Sequence, residues 1–189
     1  MRDRLPTRSN LLDRGIITIV YAACLAGCGH LETSQHLFLS CTFYGSLWYE
    51  AWSWIGVSGP APHSISEHFY QFTHSAGGLR AKRSFLQLVW LLCAWIIWND
   101  RNNKLFNNVS SSIPQLLEKV KHYSLWWLKA RVVPRVLQAL GIIWEKGPVH
   151  NNIINFFSSL LWFCKIFFSF SPCFWQPKKN KKGWVGIWS

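Results

Sequence analysis

The sequence predicts a mainly α protein. A small cysteine- and histidine-rich N-terminal module comes first, then amphipathic and buried helices, then a loosely packed or poorly ordered C-terminal tail. Three observations lead there. Apolar residues recur at helical spacing around Leu47, Trp95 and Leu116. Three cysteines and two histidines crowd between Cys24 and Cys41. Beyond about Arg131 the helical period is lost to breakers, aromatics and lysines. The expected division is a domain over residues 1–135 and a hydrophobic and basic tail without recognisable domain over 136–189.

In chain order, Leu5-Pro6-Thr7 leads into a turn or two of helix, capped by Thr7 or Ser9 and closed by Gly15. Ile16–Tyr21 is a β-branched run and reads as a short strand. Leu47, Trp48, Ala51, Trp52 and Ile55 predict an amphipathic helix over Phe43–Ile55, with the breaker-rich loop Gly56–Pro62 after it. Ser64–Gln71 reads as a short helix and Ser75–Gly78 as a loop. Arg80–Asn103 is apolar on nearly every side. Its uninterrupted apolar run, Leu88–Trp98, falls well short of the ~20 residues that span a bilayer, so it reads as a buried core helix. Ser112, Pro114 and Gln115 open the next helix as cap, early proline and capping-box partner. Leu116, Leu117, Val120, Tyr123, Trp127 and Leu128 form its expected buried stripe.

Half the 189 residues are hydrophobic, with 13 Trp and 13 Phe, while charged residues are 15%. That composition excludes a disordered polar chain. The net charge of +12 is unevenly placed: residues 1–100 hold 7 basic and 6 acidic side chains, residues 101–189 hold 13 and 2. A basic half points to an anionic partner, a nucleic acid or an anionic membrane surface. The acids are scattered singly, unlike the clustered carboxylates of two-metal phosphoryl transfer. No phosphate loop, GxSxG elbow or HExxH pair occurs, so no catalytic activity is expected. Met1–Arg14 carries four Arg and two Asp and no apolar stretch of a secretory signal. The protein is therefore expected in the nucleus or cytoplasm and not secreted, where clustered cysteines bind metal more often than they pair.

The cluster reads C-x3-C-x7-H-x4-C over Cys24, Cys28, His36 and Cys41. Structural zinc takes four S or N donors in a tetrahedron, with ligand pairs a few residues apart. Cys24 and Cys28 suit one knuckle, with Gly27 and Gly29 giving the tight backbone; His36 and Cys41 suit the second. Four protein donors leave no open position, so the expected Zn2+ is structural. Against this stands the reading of the cysteines as small buried hydrophobes, and His30 competes as a ligand. Cys93 falls in the core helix, Cys164 and Cys173 in the tail, and His63, His68 and His74 read as solvated or loop histidines.

These residues also carry a resemblance. Leu5-Pro6-Thr7-Arg8-Ser9-Asn10-Leu11, Arg14-Gly15, Cys24, Cys28-Gly29, Glu32, His36-Leu37-Phe38 and Cys41 form an ordered series. Leu47-Trp48, Trp95-Ile96-Ile97-Trp98, Arg101-Asn102 and Phe106 extend it. From about Arg4 to Arg131 the chain resembles the plant reverse-transcriptase zinc-binding domain. That domain lies near the C-terminus of non-LTR (LINE-type) retrotransposon polyproteins, after the polymerase and often before a ribonuclease H domain. The resemblance places its Cys, Cys, His, Cys zinc ligands on Cys24, Cys28, His36 and Cys41. The chain departs from it in a C-x3-C first pair where C-x2-C is usual, and in lacking the Trp-rich segment at the start. It therefore looks like a truncated retroelement remnant.

The function expected is a retrotransposon-derived zinc module that binds RNA or DNA with little sequence preference, through Arg101, Lys104, Lys119, Lys121, Lys129 and Arg131. The alternative is a membrane-attached protein anchored by Ile153–Trp175, a 23-residue apolar run interrupted by Asn155 and Lys165 and followed by Lys178, Lys179, Lys181 and Lys182.

Overall fold

In the computed structural model the protein is mainly α. The structure describes residues 4–57, 62–74, 77, 80–139, 176–180 and 183–187, with side chains described as far as Lys129. Helices α1 (Arg8–Asp13), α2 (Gly45–Ile55), α3 (Ile65–His74), α4 (Arg80–Asn107) and α5 (Ile113–Ala139) follow in order. A hairpin of β1 (Gln176–Asn180) and β2 (Gly183–Ile187) pairs antiparallel, Gln176 opposite Ile187 and Asn180 opposite Gly183. The membrane-anchor segment 153–175 and most of the tail lie outside the described residues.

Local chemistry explains the helix ends. Thr7 caps α1, its Oγ1 accepting the Asn10 N–H at 3.4 Å. At α5, Ser112 N–H donates to the Gln115 side chain at 2.8 Å, the back-reaching half of a capping box. Helix α4 runs to Asn107, one turn beyond the expected end. It stops where Asn108 enters the left-handed region (φ 52°) and the Val109 N–H reaches back to the Asn103 carbonyl.

Helix α4 is the centre of the core. It packs against α3 on one side and α5 on the other, with α2 closing over both α4 and α5. Among the described residues it is the one helix long and apolar enough to cross a membrane. Its apolar side chains are spent inside the fold instead: Val89, Trp90, Leu92, Cys93, Ala94 and Ile97 are fully buried. From α5 come Leu116, Leu117, Val120 and Trp127, while Leu128, expected inside, is exposed at the surface.

Two further expectations need correction. Ile16–Tyr21 is not a strand: Ile19–Tyr21 forms a 3₁₀ turn with Ile16, Ile19, Val20 and Tyr21 exposed. The N–H groups of Tyr21 and Ala22 are satisfied locally by Thr18 and Ile19 carbonyls. β-branched residues favour strands by packing against a cross-strand neighbour, and without one local bonding prevails. His68 is not solvated either. It lies buried among Trp48, Trp52, Phe72 and Trp90, and Trp90 Nε1–H donates to its Nδ1 at 3.2 Å.

Burial pushes the His68 pKa down to about 4, because the imidazolium would have to be charged inside an aromatic cage. The unfolded chain takes up this proton near pH 6.5, the folded one only near 4. The stability due to neutral His68 is therefore complete above pH 6.5 and lost as pH falls through that window. We expect about 2 kcal/mol to disappear between pH 7 and 4.5. Urea unfolding of wild type and His68→Phe at both pH values checks it: the gap between them should shift by that amount in the variant's favour at the lower pH.

Candidate metal centre

Two tight backbone devices build the cluster. The first knuckle is a loop closed at its base by the antiparallel bridge of Ala23 with Leu31. Cys24 N–H donates to the His30 carbonyl at 2.7 Å and Glu32 N–H to the Ala22 carbonyl at 3.0 Å. Inside it the Gly27 N–H turns back onto the Cys24 carbonyl. Gly27 (φ 82°) and Gly29 (φ 78°) flank Cys28 in a conformation that side-chain-bearing residues rarely adopt, which lets a C-x3-C spacing bring both sulfurs to one point.

The second knuckle is one wide helical turn, His36–Ser40. The Cys41 N–H donates to the His36 carbonyl at 2.7 Å, an i→i+5 bond of the π type. The H-x4-C spacing is the spacing of that bond, so one hydrogen bond sets both ligands on the same side of the turn. Thr33 Oγ1 holds the His36 N–H at 3.0 Å, and the Trp48 indole N–H donates to the Phe38 carbonyl. Leu37 and Phe38 between the ligands are fully buried.

The four donor atoms of Cys24, Cys28, His36 and Cys41 all lie within 4.8 Å of one another, and the group can hold a metal ion. Cys24 Sγ and Cys41 Sγ are 3.9 Å apart, and Cys28 Sγ is 3.0 Å from His36 Nε2. A tetrahedron with metal–sulfur bonds of about 2.3 Å has sulfur–sulfur edges of about 3.8 Å, so the preformed spacing suits that geometry. His30, the competing ligand, lies outside the four. It is exposed, hydrogen-bonded through Nδ1 to the Cys28 carbonyl and stacked on the His36 ring. Cys93 is buried in α4 away from the group, burial holding its thiol well above the usual range. Cys164 and Cys173 lie outside the described residues.

The electrostatics favour a cation. Cys41 is lowered to about 5, first by the hydrogen bond from the Cys24 thiol and then, against burial, by backbone N–H groups at Tyr44 and Phe43. Cys24 is correspondingly raised, by that same bond and by burial, although the Ala26 N–H opposes this. Metal ligation needs deprotonated sulfur, so a bound cation would compete with protons at this pair.

Sequence reasoning missed what surrounds the ligands. Glu32, midway between the knuckles, is completely buried. Its Oε1 accepts Arg101 Nη2 at 2.6 Å, Arg101 Nε at 3.1 Å and the Arg8 N–H at 3.2 Å; its Oε2 accepts the Leu25 N–H at 3.3 Å. Asp100, next to Arg101 on α4, accepts the Tyr44 hydroxyl at 3.2 Å and the Ser111 N–H at 2.9 Å. Arg101 was expected at a nucleic-acid surface. The structure corrects this: Arg101 is 2% exposed, paired with Glu32 and set over the Trp98 ring, so its charge is spent internally. The one sequence signal for this was a lone acid inside a metal loop and a lone arginine at the end of an apolar run.

The other basic residues separate by exposure. Lys119 and Lys129 are exposed, Lys104 is half-buried, and Lys121 pairs with Glu118 at 2.7 Å. Lys119 Nζ also donates to Ser111 Oγ at 2.8 Å. The Arg131 side chain lies outside the described residues.

Replacing Cys41 by Ser should abolish stoichiometric metal binding and unfold the module, because a hydroxyl in place of the buried sulfur is a weak ligand. Cys28→Ser should do the same. Metal-to-protein ratio and far-UV circular dichroism of the two variants check this: retained metal in both would remove the assignment. Against known proteins, no family model, no curated protein and no solved structure matches the chain.

Proposed function

We propose that the chain is a zinc-binding module of retrotransposon origin that binds RNA or DNA and has no catalytic activity of its own. The observation that carries the zinc reading is the closed donor set: three sulfurs and one imidazole nitrogen preformed within 4.8 Å, with Cys24, His36 and Cys41 buried. Such a set suits zinc, and it leaves no coordination position for a substrate, so the ion would hold the fold and take no part in chemistry. X-ray absorption on the purified protein should find three sulfurs at about 2.3 Å and one nitrogen at about 2.0 Å around zinc.

The nucleic-acid reading rests on what Arg101 leaves behind. Lys119 and Lys129 lie exposed on α5, and Lys104 is half-buried near the end of α4. An open groove of about 780 Å³ between the α4–α5 loop and α5 is lined by Ser111, Lys119, His122 and Tyr123 among others. The His122 and Trp126 rings lie 4.6 Å apart along the same helix. Lysines neutralise phosphates and rings stack on unpaired bases, which together suit a single strand.

Binding of fluorescent single-stranded oligonucleotides should weaken steeply with salt, with a log–log slope of about −0.7 per phosphate neutralised. Changing Lys104, Lys119 and Lys129 together to Gln should weaken all sequences alike and flatten that slope. Unchanged affinity in the triple variant, or indifference to salt, would sink this reading.

A further inference from the structure

We infer that Arg101 is a positioning residue for the metal site: through Glu32 it fixes the first knuckle against α4, while its neighbour Asp100 fixes the second. The inference rests on the metal reading and goes beyond the ligands themselves. Cys24/Cys28 and His36/Cys41 lie on different turns, and a tetrahedral site needs the two pairs in register. One turn of α4 meets both.

On the first side, the Arg101 guanidinium puts Nε and Nη2 on a single oxygen of Glu32, and the other oxygen holds the N–H of Leu25, the residue next to Cys24. On the second side, Asp100 holds the hydroxyl of Tyr44, whose backbone N–H supports the Cys41 sulfur. Glu32, Arg101, Asp100 and Tyr44 are all at most 3% exposed, so this contact is made away from competing water. Partners one bond removed from the ligands orient them, and losing such a partner weakens metal binding about 10–100-fold.

The test measures zinc affinity of the full chain by competition with a chelator of known strength, in wild type, Arg101→Met, Arg101→Lys, Asp100→Asn and Leu92→Ala. Leu92 is buried in α4 about two turns before Asp100, so it reports what destabilising that helix does by itself. We expect Arg101→Met to raise the zinc dissociation constant about 10–100-fold and Arg101→Lys to recover part of it, since a lysine keeps the charge but not the two-pronged donor. Asp100→Asn should weaken zinc in the same direction. Leu92→Ala should lower the melting temperature yet leave zinc affinity of the folded protein unchanged. A second readout separates positioning from plain stability: the rise in melting temperature on adding zinc should shrink in Arg101→Met and Asp100→Asn but not in Leu92→Ala. Should Arg101→Met fail to fold, Arg101→Lys and Asp100→Asn carry the comparison. Wild-type protein that loads zinc while these variants load it as tightly overturns the inference alone. Equal weakening in Leu92→Ala also overturns it, and wild type that takes up no zinc overturns the metal reading with it.

Discussion

The buried pair of Glu32 and Arg101 is the constraint on which the arrangement of this protein depends. Two charges taken out of water are expensive unless each finds partners in good geometry. Here they do: the carboxylate takes two guanidinium bonds and two backbone N–H bonds, and the guanidinium adds Asn102 and the Trp98 ring. Removing one member would strand the other, at about 3–5 kcal/mol for a buried pair. The contact joins residues 69 apart in sequence. It can form only when the knuckle loop, the first turn of α1 and the end of α4 occupy one place, so it selects that assembly over other ways of collapsing an aromatic-rich chain.

The selection matters because the apolar core is not discriminating by itself. Trp48, Trp52, Phe72, Trp90 and His68 make a contiguous aromatic cluster between α2, α3 and α4. Large flat rings can pack in many offset arrangements of similar energy. Directional bonds inside the cluster narrow them: the Trp48 indole is tied to the Phe38 carbonyl, the Trp90 indole to His68, and the Tyr44 hydroxyl to Asp100. The Trp48 bond ends on the very turn that carries His36, so the packing of α2 and the second knuckle are not independent. Zinc, on the reading above, would close the one part of this network that the chain leaves to an ion.

How far the sequence revealed this depends on range. Features set within a few residues were legible. The Thr7 cap, the Ser112–Gln115 capping box, the helical stripe of α2 and the four-donor spacing all follow from chemistry inside one turn or loop. The long apolar stretch of α4 was legible as core because its uninterrupted run was too short for a bilayer. Features set by distant partners were not. Ile16–Tyr21 has strand composition but, among the described residues, pairs with no strand. His68 looks like any polar residue on a short helix until α2 and α4 surround it. Arg101, counted as surface charge, faces a carboxylate from another part of the chain. Composition cannot tell a cation that meets solvent from one that meets Glu32.

That last distinction changes how the positive charge of the chain should be read. Of the cations between residues 101 and 129, Arg101 is neutralised inside and Lys121 is paired at the surface by Glu118, a contact of small energetic weight. Lys119 and Lys129 keep their charge in solvent, with Lys104 partly so. The excess charge of that segment is therefore less evenly spread than its count implies. It lies on exposed Lys119 and Lys129 of α5 and on half-buried Lys104 of α4, while Asp100 and Arg101 of α4 are buried in the polar contacts beside the knuckles. Within α4 two consecutive charged residues, Asp100 and Arg101, are buried, and the half-buried Lys104 follows about one turn later. The boundary between the buried polar seam and the basic surface is thus a single helical turn. Ser111 of the α4–α5 loop takes part in both: its N–H is held by Asp100 and its Oγ accepts Lys119 Nζ, so this loop joins the buried polar seam to the basic helix.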